Sequence, residues 1–583
     1  MKLMLHYVKD YRWAYIGVIA IKFAATFAEL LLPYVLEHLI DNVAPEKNLG
    51  KIFLWGGVML ALAAGVWRSN VYANQKSVRI SARSAYDLRR DLFRRSLTLS
   101  GSQMDAIGLP SLTSRMTSDS YNVQDCIRMV PSLGVRAPIL LIGGVVVTLV
   151  MDPGLSLILC IVLPIILGVV VGVSLKGIPL YDRVQHSLDG VVRVMRENIT
   201  GIRVVKALSK EQHETARFSG VNEQMNRRER RAGAIMSLPG PVMTLLLNLG
   251  LGLVVLVGAR RVNDGKIEPG VILSFLTYFN MILMGVMGLN RIFLMLSKAN
   301  ASANRIAEVM DLPVTLQALP EGECAHTDDP GFLVFDDVSF RYGEGGSGAG
   351  FAGGERQMSL SHISFSVPRG GSLGIIGPTG CGKTTIIRLL MRFYDCTEGH
   401  VFVDGRDVRS YAPEELRRRF GVVFQNDVVF ADSLAENITF GRNVDDAAMR
   451  AAAADACAAE FIEAYEDEYD HLAAIHGANL SGGQRQRVLI SRALAADPEI
   501  LVLDDASSAL DYRTDAAVRT AIREHHSGAT SIVVAQRVSS LMSLDRILVL
   551  DEGRILGLGT HAELLERCPQ YRDIYEAQMG EED

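Results

Sequence analysis

Six runs of mainly apolar residues, each long enough to cross the hydrocarbon layer of a bilayer, constrain this chain more than any other feature. A membrane-spanning helix needs about 20 such residues. The runs occupy 14–40, 52–73, 135–151, 155–175, 234–257 and 271–296. Between the third and fourth stands Met151-Asp152-Pro153-Gly154, which cannot continue a helix and predicts a tight external hairpin. Basic residues gather in the long segments 75–128 (Arg89, Arg90, Arg94, Arg95) and 176–231 (Arg227, Arg228, Arg230, Arg231), whereas the loops near 41–50 and 152 are short and mixed. This asymmetry places the long basic segments and both chain ends on the cytoplasmic side of a plasma membrane. The spans are expected to continue as helices into the cytoplasm, and the first, which no A-x-A-like cleavage site follows, to remain as an anchor.

A chain of 583 residues exceeds a single core, and 21% charged residues beside 49% hydrophobic ones require a soluble part as well. The net charge of -6 leaves no basic footprint for nucleic acid. Seven scattered cysteines without a C-x-x-C pair suggest neither a disulfide framework nor a zinc site. Inside the spans, Glu29, Arg68, Asn248, Asn280 and Asn290 either line a substrate path or make hydrogen bonds between helices. Met281, Met284, Met287 and Met295, among Phe275, Tyr278, Phe279 and Phe293, form either an adaptable apolar surface or ordinary packing.

Beyond a polar linker at 313–330, short β-rich runs alternate with helical ones through 331–583, an α/β signature. Residues 367–387 read VPRGGSLGIIGPTGCGKTTII: a strand, a G-x-x-x-x-G-K-[ST] loop from Gly377 through Thr379, Gly380, Cys381 and Gly382, then a helix with Thr385 in its first turn. Such a loop curls backbone N–H groups around phosphate, with Lys383 facing the β- and γ-phosphates of ATP and Thr384 a ligand for Mg²⁺. LSGGQRQR at 480–487 precedes ILVLDD at 500–505, an apolar strand ending in Asp504 and Asp505 that can hold Mg²⁺ through its water shell.

This combination resembles the ABC transporter superfamily, specifically exporter-type half-transporters in which a six-helix α-helical transmembrane domain (1–312) precedes an α/β nucleotide-binding domain (331–583). The resemblance covers essentially the whole chain. It implies that Tyr342 stacks on adenine, that Gln425 in VVFQN touches Mg²⁺ and relays nucleotide state, and that Asp511 belongs to the D-loop. Ser481, Gly482, Gly483 and Gln484 would close on the γ-phosphate of a nucleotide held by another chain, which implies a dimer. Residues 197–208 (ENITGIRVVKAL) resemble a second coupling-helix region, and 114–119 (SRMTSD) the motif following the first.

Three positions depart from the family pattern. The Glu that polarises attacking water is replaced by Asp505, the switch His by Gln536 in VVAQRVSS, and a Glu before the signature by Ile475. A carboxylate drawn back by about 1 Å can cost on the order of 100-fold in rate, about 2.7 kcal/mol. Gln hydrogen-bonds phosphate but cannot become cationic. With the P-loop and signature intact, the pattern is that of a degenerate-site subunit paired with a different half-transporter, which moves an amphipathic small molecule such as a drug or lipid outward. A homodimer with a weaker base, siderophore-type uptake by an exporter-like pair, and a nucleotide-sensing regulatory subunit are the alternatives.

Overall fold

The computed structural model describes residues 2–343 and 358–579. Beyond Gly343 the Gly-rich insertion at 343–355, expected as a flexible linker, lies outside them, as does the side chain of Asn290. Two units emerge: one of Met1–Arg94 and Ser114–Asp311, the other of Arg95–Thr113 and Leu312–Asp583.

The first unit is helical. Lys2–Val43, Leu49–Leu97, Leu109–Met151, Pro153–Thr200, Glu211–Asn263 and Pro269–Met310 are each long and apolar enough to span a membrane, and each contains one of the six runs. At 1.5 Å per residue the second and fourth extend for about 70 Å, more than twice the hydrocarbon thickness. Asp152 turns the chain between the third and fourth, with extended backbone, Oδ1 accepting from the Leu155 N–H at 2.7 Å, and Oδ2 paired with Arg261 at 2.8 Å.

Small residues let the helices approach closely. A Cβ on Gly285 would stand 2.9 Å from the Ala137 carbonyl oxygen, and one on Gly144 2.6 Å from Ile282. The polar residues flagged in the spans divide. Glu29 makes a bidentate ion pair with Arg136, at 2.7 and 3.2 Å. Asn248 and Asn280 donate to carbonyls one turn back on their own helices, and Arg68 is exposed. On the last helix Phe275, Tyr278 and Phe279 are buried, and Tyr278 donates to the Leu30 carbonyl at 2.7 Å. Met284, Met287 and Phe293 are exposed.

The second unit contains two sheets. Its strands are β1 (Leu333–Phe340), β2 (Leu360–Val367), β3 (Ser372–Ile376), β4 (Glu398–Val403), β5 (Arg406–Asp407), β6 (Phe420–Val423), β7 (Ile500–Asp504), β8 (Thr530–Val534), β9 (Arg546–Asp551) and β10 (Arg554–Gly559). The first sheet is antiparallel in the order β2-β1-β4-β5, and the second runs β10-β9-β3-β8-β7-β6. From β9 to β6 the larger sheet is parallel, with strands such as β7 buried throughout, as covering both faces of a sheet requires.

Residues 95–113 also pack into this unit, although the sequence-based division at 312 groups them with the membrane helices. A short helix, Gly101–Ile107, is capped by Ser100 and Gln103 in a reciprocal box. Gly101 N–H donates to the Phe393 carbonyl at 3.3 Å, and Tyr394 Oη donates to Asp105 at 2.7 Å. A Cβ at Gly101 would meet the Tyr394 ring at 2.6 Å, so contact this close requires glycine.

Candidate functional site

Four neighbouring parallel strands, β3, β8, β7 and β6, deliver their carboxyl ends to one edge of the larger sheet. Open α/β sheets form ligand crevices there. The P-loop leaves β3, Gln536 follows β8, Asp504 and Asp505 end β7, and Gln425 follows β6. They line a cavity of about 210 Å³ together with Tyr342, Thr379, Gly380, Gly382, Lys383, Thr384 and Thr385.

The loop's glycines are set by space and backbone. Gly377, at φ 156°, would bring a Cβ to 2.0 Å from the Leu550 carbonyl oxygen. Gly382, at φ 108°, would bring one to 2.6 Å from Leu360. Cys381, buried beneath the loop, contributes packing, and burial pushes its thiol pKa up. Lys383 Nζ donates to the Gly377 and Pro378 carbonyls, both at 2.7 Å, which holds its charge over the loop.

Thr384 Oγ1 donates to Asp504 Oδ2 at 2.9 Å. Burial and, less strongly, neighbouring Asp505 raise the Asp504 pKa, and the Thr384 bond opposes them. The Thr384 hydroxyl, the Asp504 carboxylate and the Gln425 amide, all in the cavity lining, form an oxygen donor set suited to a hard cation that keeps part of its water shell. Among the described residues no His/Cys/Asp/Glu cluster offers an alternative metal centre.

Tyr342 also lines the cavity. Its hydroxyl lies 3.1 Å from Thr385 Oγ1 and accepts from Arg388 Nη1 at 3.2 Å, while its ring meets Phe340 and Tyr394 edge-on. Arg388, absent from the sequence-based set, is recognisable only once the helix Lys383–Leu390 carries it beneath Tyr342. Ser359, Val534 and Ala535 complete the lining and carry no motif signal.

Adjacent exits from β7 and β8 bring the two divergent residues together. Asp505 has left-handed backbone, φ 54°, its N–H donates to the Val534 carbonyl at 2.9 Å, and Gln536 Nε2 donates to its Oδ2 at 3.1 Å. The carboxylate is thus engaged by a neutral amide.

The remaining candidates stand apart from this cavity. Ser481 caps the helix Gly482–Leu494 in a reciprocal box with Gln484, and Ser481 and Gly482 are exposed. Gln486 ties this helix to the next loop, donating to Ser508 Oγ at 3.0 Å and accepting from the Ala509 N–H at 2.8 Å. Asp511 caps Tyr512–His525 by accepting from Thr514 N–H and Oγ1, which lowers its pKa. Ile475 is 71% exposed in the turn before the signature.

Comparison with known proteins agrees with this architecture. Residues 15–287 match the ABC transporter transmembrane region and 360–508 the ABC transporter family model. An uncharacterized ABC transporter ATP-binding protein of Mycobacterium tuberculosis is 32% identical over 99% of this chain and 98% of its own length. YfiB of Bacillus subtilis, an uncharacterized ABC transporter ATP-binding protein, is 32% identical over 95% of this chain and 94% of its own. A bacterial Atm1-family ABC exporter solved with ATP bound shares the fold, with a TM-score of 0.78, 23% identity and 98% coverage of both chains. The chain belongs to the ABC transporter family, as a multi-pass half-transporter of exporter fold that carries its own ATP-binding domain.

Proposed function

We propose that this chain is the degenerate-site half of a heterodimeric exporter that uses MgATP to move an amphipathic small molecule outward across the plasma membrane, with both termini and the nucleotide-binding unit in the cytoplasm. The observation that carries this reading is the Gln536 amide bonded to Asp505 at 3.1 Å. A water-polarising group must reach the attacking water and keep an oxygen free to accept its proton. Asp505 is short for that task, and the Gln536 amide on its Oδ2 leaves only Oδ1 for it and draws electron density from the carboxylate.

Binding functions are assigned to the rest of the cavity. Tyr342 stacks on adenine, the loop 377–382 and Thr385 wrap the phosphates, and Lys383 exchanges its carbonyl partners for β- and γ-phosphate oxygens. Thr384, Asp504 and Gln425 hold Mg²⁺, which when bound neutralises charge on the transferred phosphoryl group. Ser481, Gly482, Gly483 and Gln484 serve the other subunit's nucleotide, with Asp511 at the same interface. Ser481, Gly482 and Asp511 are exposed, and none of these residues lines this chain's cavity, which supports that division.

The decisive comparison is ATPase activity of the purified chain alone against the complex it forms with its native partner. The chain alone should be nearly inactive and the complex active. Robust substrate-stimulated hydrolysis by a pure homodimer would refute the heterodimer.

A further inference from the structure

The charged residues in the spans are unequal in sign. Lys22, Arg68, Arg136 and Arg291 lie within the six apolar runs, against only Glu29 and Glu37. The cations lie toward the end of the bundle remote from the turn at Asp152. Arg136 opens the helix Val135–Met151 and pairs with Glu29. Ile292, next to Arg291, lies against Gly134, two residues from Arg136. Lys22 stands seven residues before Glu29, two turns along the same helix face and about 10 Å away along the axis. Arg68 is two residues from Asn70, the partner of Lys22.

Lys22 is the unusual member. It is only 4% exposed, and its ammonium, with three protons to donate, has one acceptor among the described residues, Asn70 Oδ1 at 2.8 Å. A buried cation with two unmet donors is costly unless a counter-charge offsets it. Glu29, the nearest carboxylate on its helix, is already bonded to Nε and Nη2 of Arg136. Arg136 is 39% exposed, and among the described residues its Nη1 has no hydrogen-bond partner.

We propose that this level of the membrane unit binds amphiphiles with an anionic head. Arg136 Nη1 contacts the head, Lys22 adds to the excess of cationic side chains at this end of the bundle, and the apolar tail lies among exposed side chains such as Met284 and Met287. The assignment deepens the reading of this unit as the path of an amphipathic substrate and rests on it.

The test is equilibrium binding of radiolabelled dodecyl phosphate to the full-length chain in phosphatidylcholine nanodiscs, with binding to empty nanodiscs subtracted. Binding should saturate, dodecyltrimethylammonium should compete at least about tenfold more weakly, and inorganic phosphate should not compete. Glu29→Gln should tighten binding about threefold by releasing Arg136, and Arg136→Gln should weaken it about tenfold. The double variant Glu29→Gln/Arg136→Gln leaves no unpaired carboxylate and should also bind more weakly than wild type. A merely structural ion pair would make Glu29→Gln no tighter, and that result overturns the proposal. So does equal competition by the cationic amphiphile, which would leave the amphiphile path standing with a different head preference. Competition by inorganic phosphate would identify a site for free anions and overturn the amphiphile assignment. If dodecyl phosphate, dodecyltrimethylammonium and neutral dodecanol all fail to saturate, the amphiphile path itself falls.

Discussion

The P-loop cluster and the LSGGQ cluster are equally explicit as motifs, yet they differ in what surrounds them. Around the P-loop, four strand ends and Tyr342 turn their side chains onto one cavity, and Tyr342, Lys383, Thr384, Asp504, Asp505 and Gln536 are hydrogen-bonded within the same chain. At the signature, Ser481 and Gly482 are exposed, and the neighbouring bonds, from Gln484, Gln486 and Asp511, brace the backbone. One cluster is built to enclose a ligand and the other to present a rigid surface. If, as proposed, the signature serves a nucleotide held by a partner, damage to the two clusters should be felt in different places.

The largest effect is expected at the presenting surface. Ser481→Arg should block approach to a partner-held γ-phosphate and lower ATPase turnover of the assembled complex by on the order of 100-fold or more, while ATP labelling of this chain is retained. Loss of that labelling would mean that the signature serves its own cavity. Next is Lys383→Ala, which removes the cation from the loop. Photo-labelling of this chain by an ATP analogue should fall about tenfold or more, and equal labelling would remove the basis for the cavity assignment. A smaller change is expected from Gln486→Ala, which cuts the two bonds to Ser508 and Ala509. It should cost about 1 kcal/mol per bond, read as a lower melting temperature and severalfold slower turnover. Unchanged turnover in a destabilised protein would mean that this brace is structural only.

Much of this was legible because it is local in sequence. A run of 20 apolar residues, the break at Asp152-Pro153, and a glycine loop between strand and helix each declare themselves within a short window. Contacts between distant residues did not. Asp505 and Gln536 are 31 positions apart, and only the adjacency of β7 and β8 shows one bonded to the other. Glu29 was flagged without its partner Arg136, 107 positions away. Lys22 carries no local signal, because a lone cation barely interrupts an apolar run and its burial depends on how helices pack. The helix Gly101–Ile107 looked like part of a cytoplasmic loop until Tyr394 and Phe393 gave it a docking site.

The smallest effect is also the most direct test. ATPase turnover should be measured in the complex purified through a tag on this chain, with Asp505→Asn compared with wild type. The substitution keeps the size of the side chain and removes the charge from a group that already accepts from Gln536. If this chain's own site is degenerate, turnover should stay within about threefold of wild type, a change of less than 1 kcal/mol in barrier. A loss approaching that of Ser481→Arg would show that Asp505 activates water in a competent site, and would contradict the asymmetry on which the account rests.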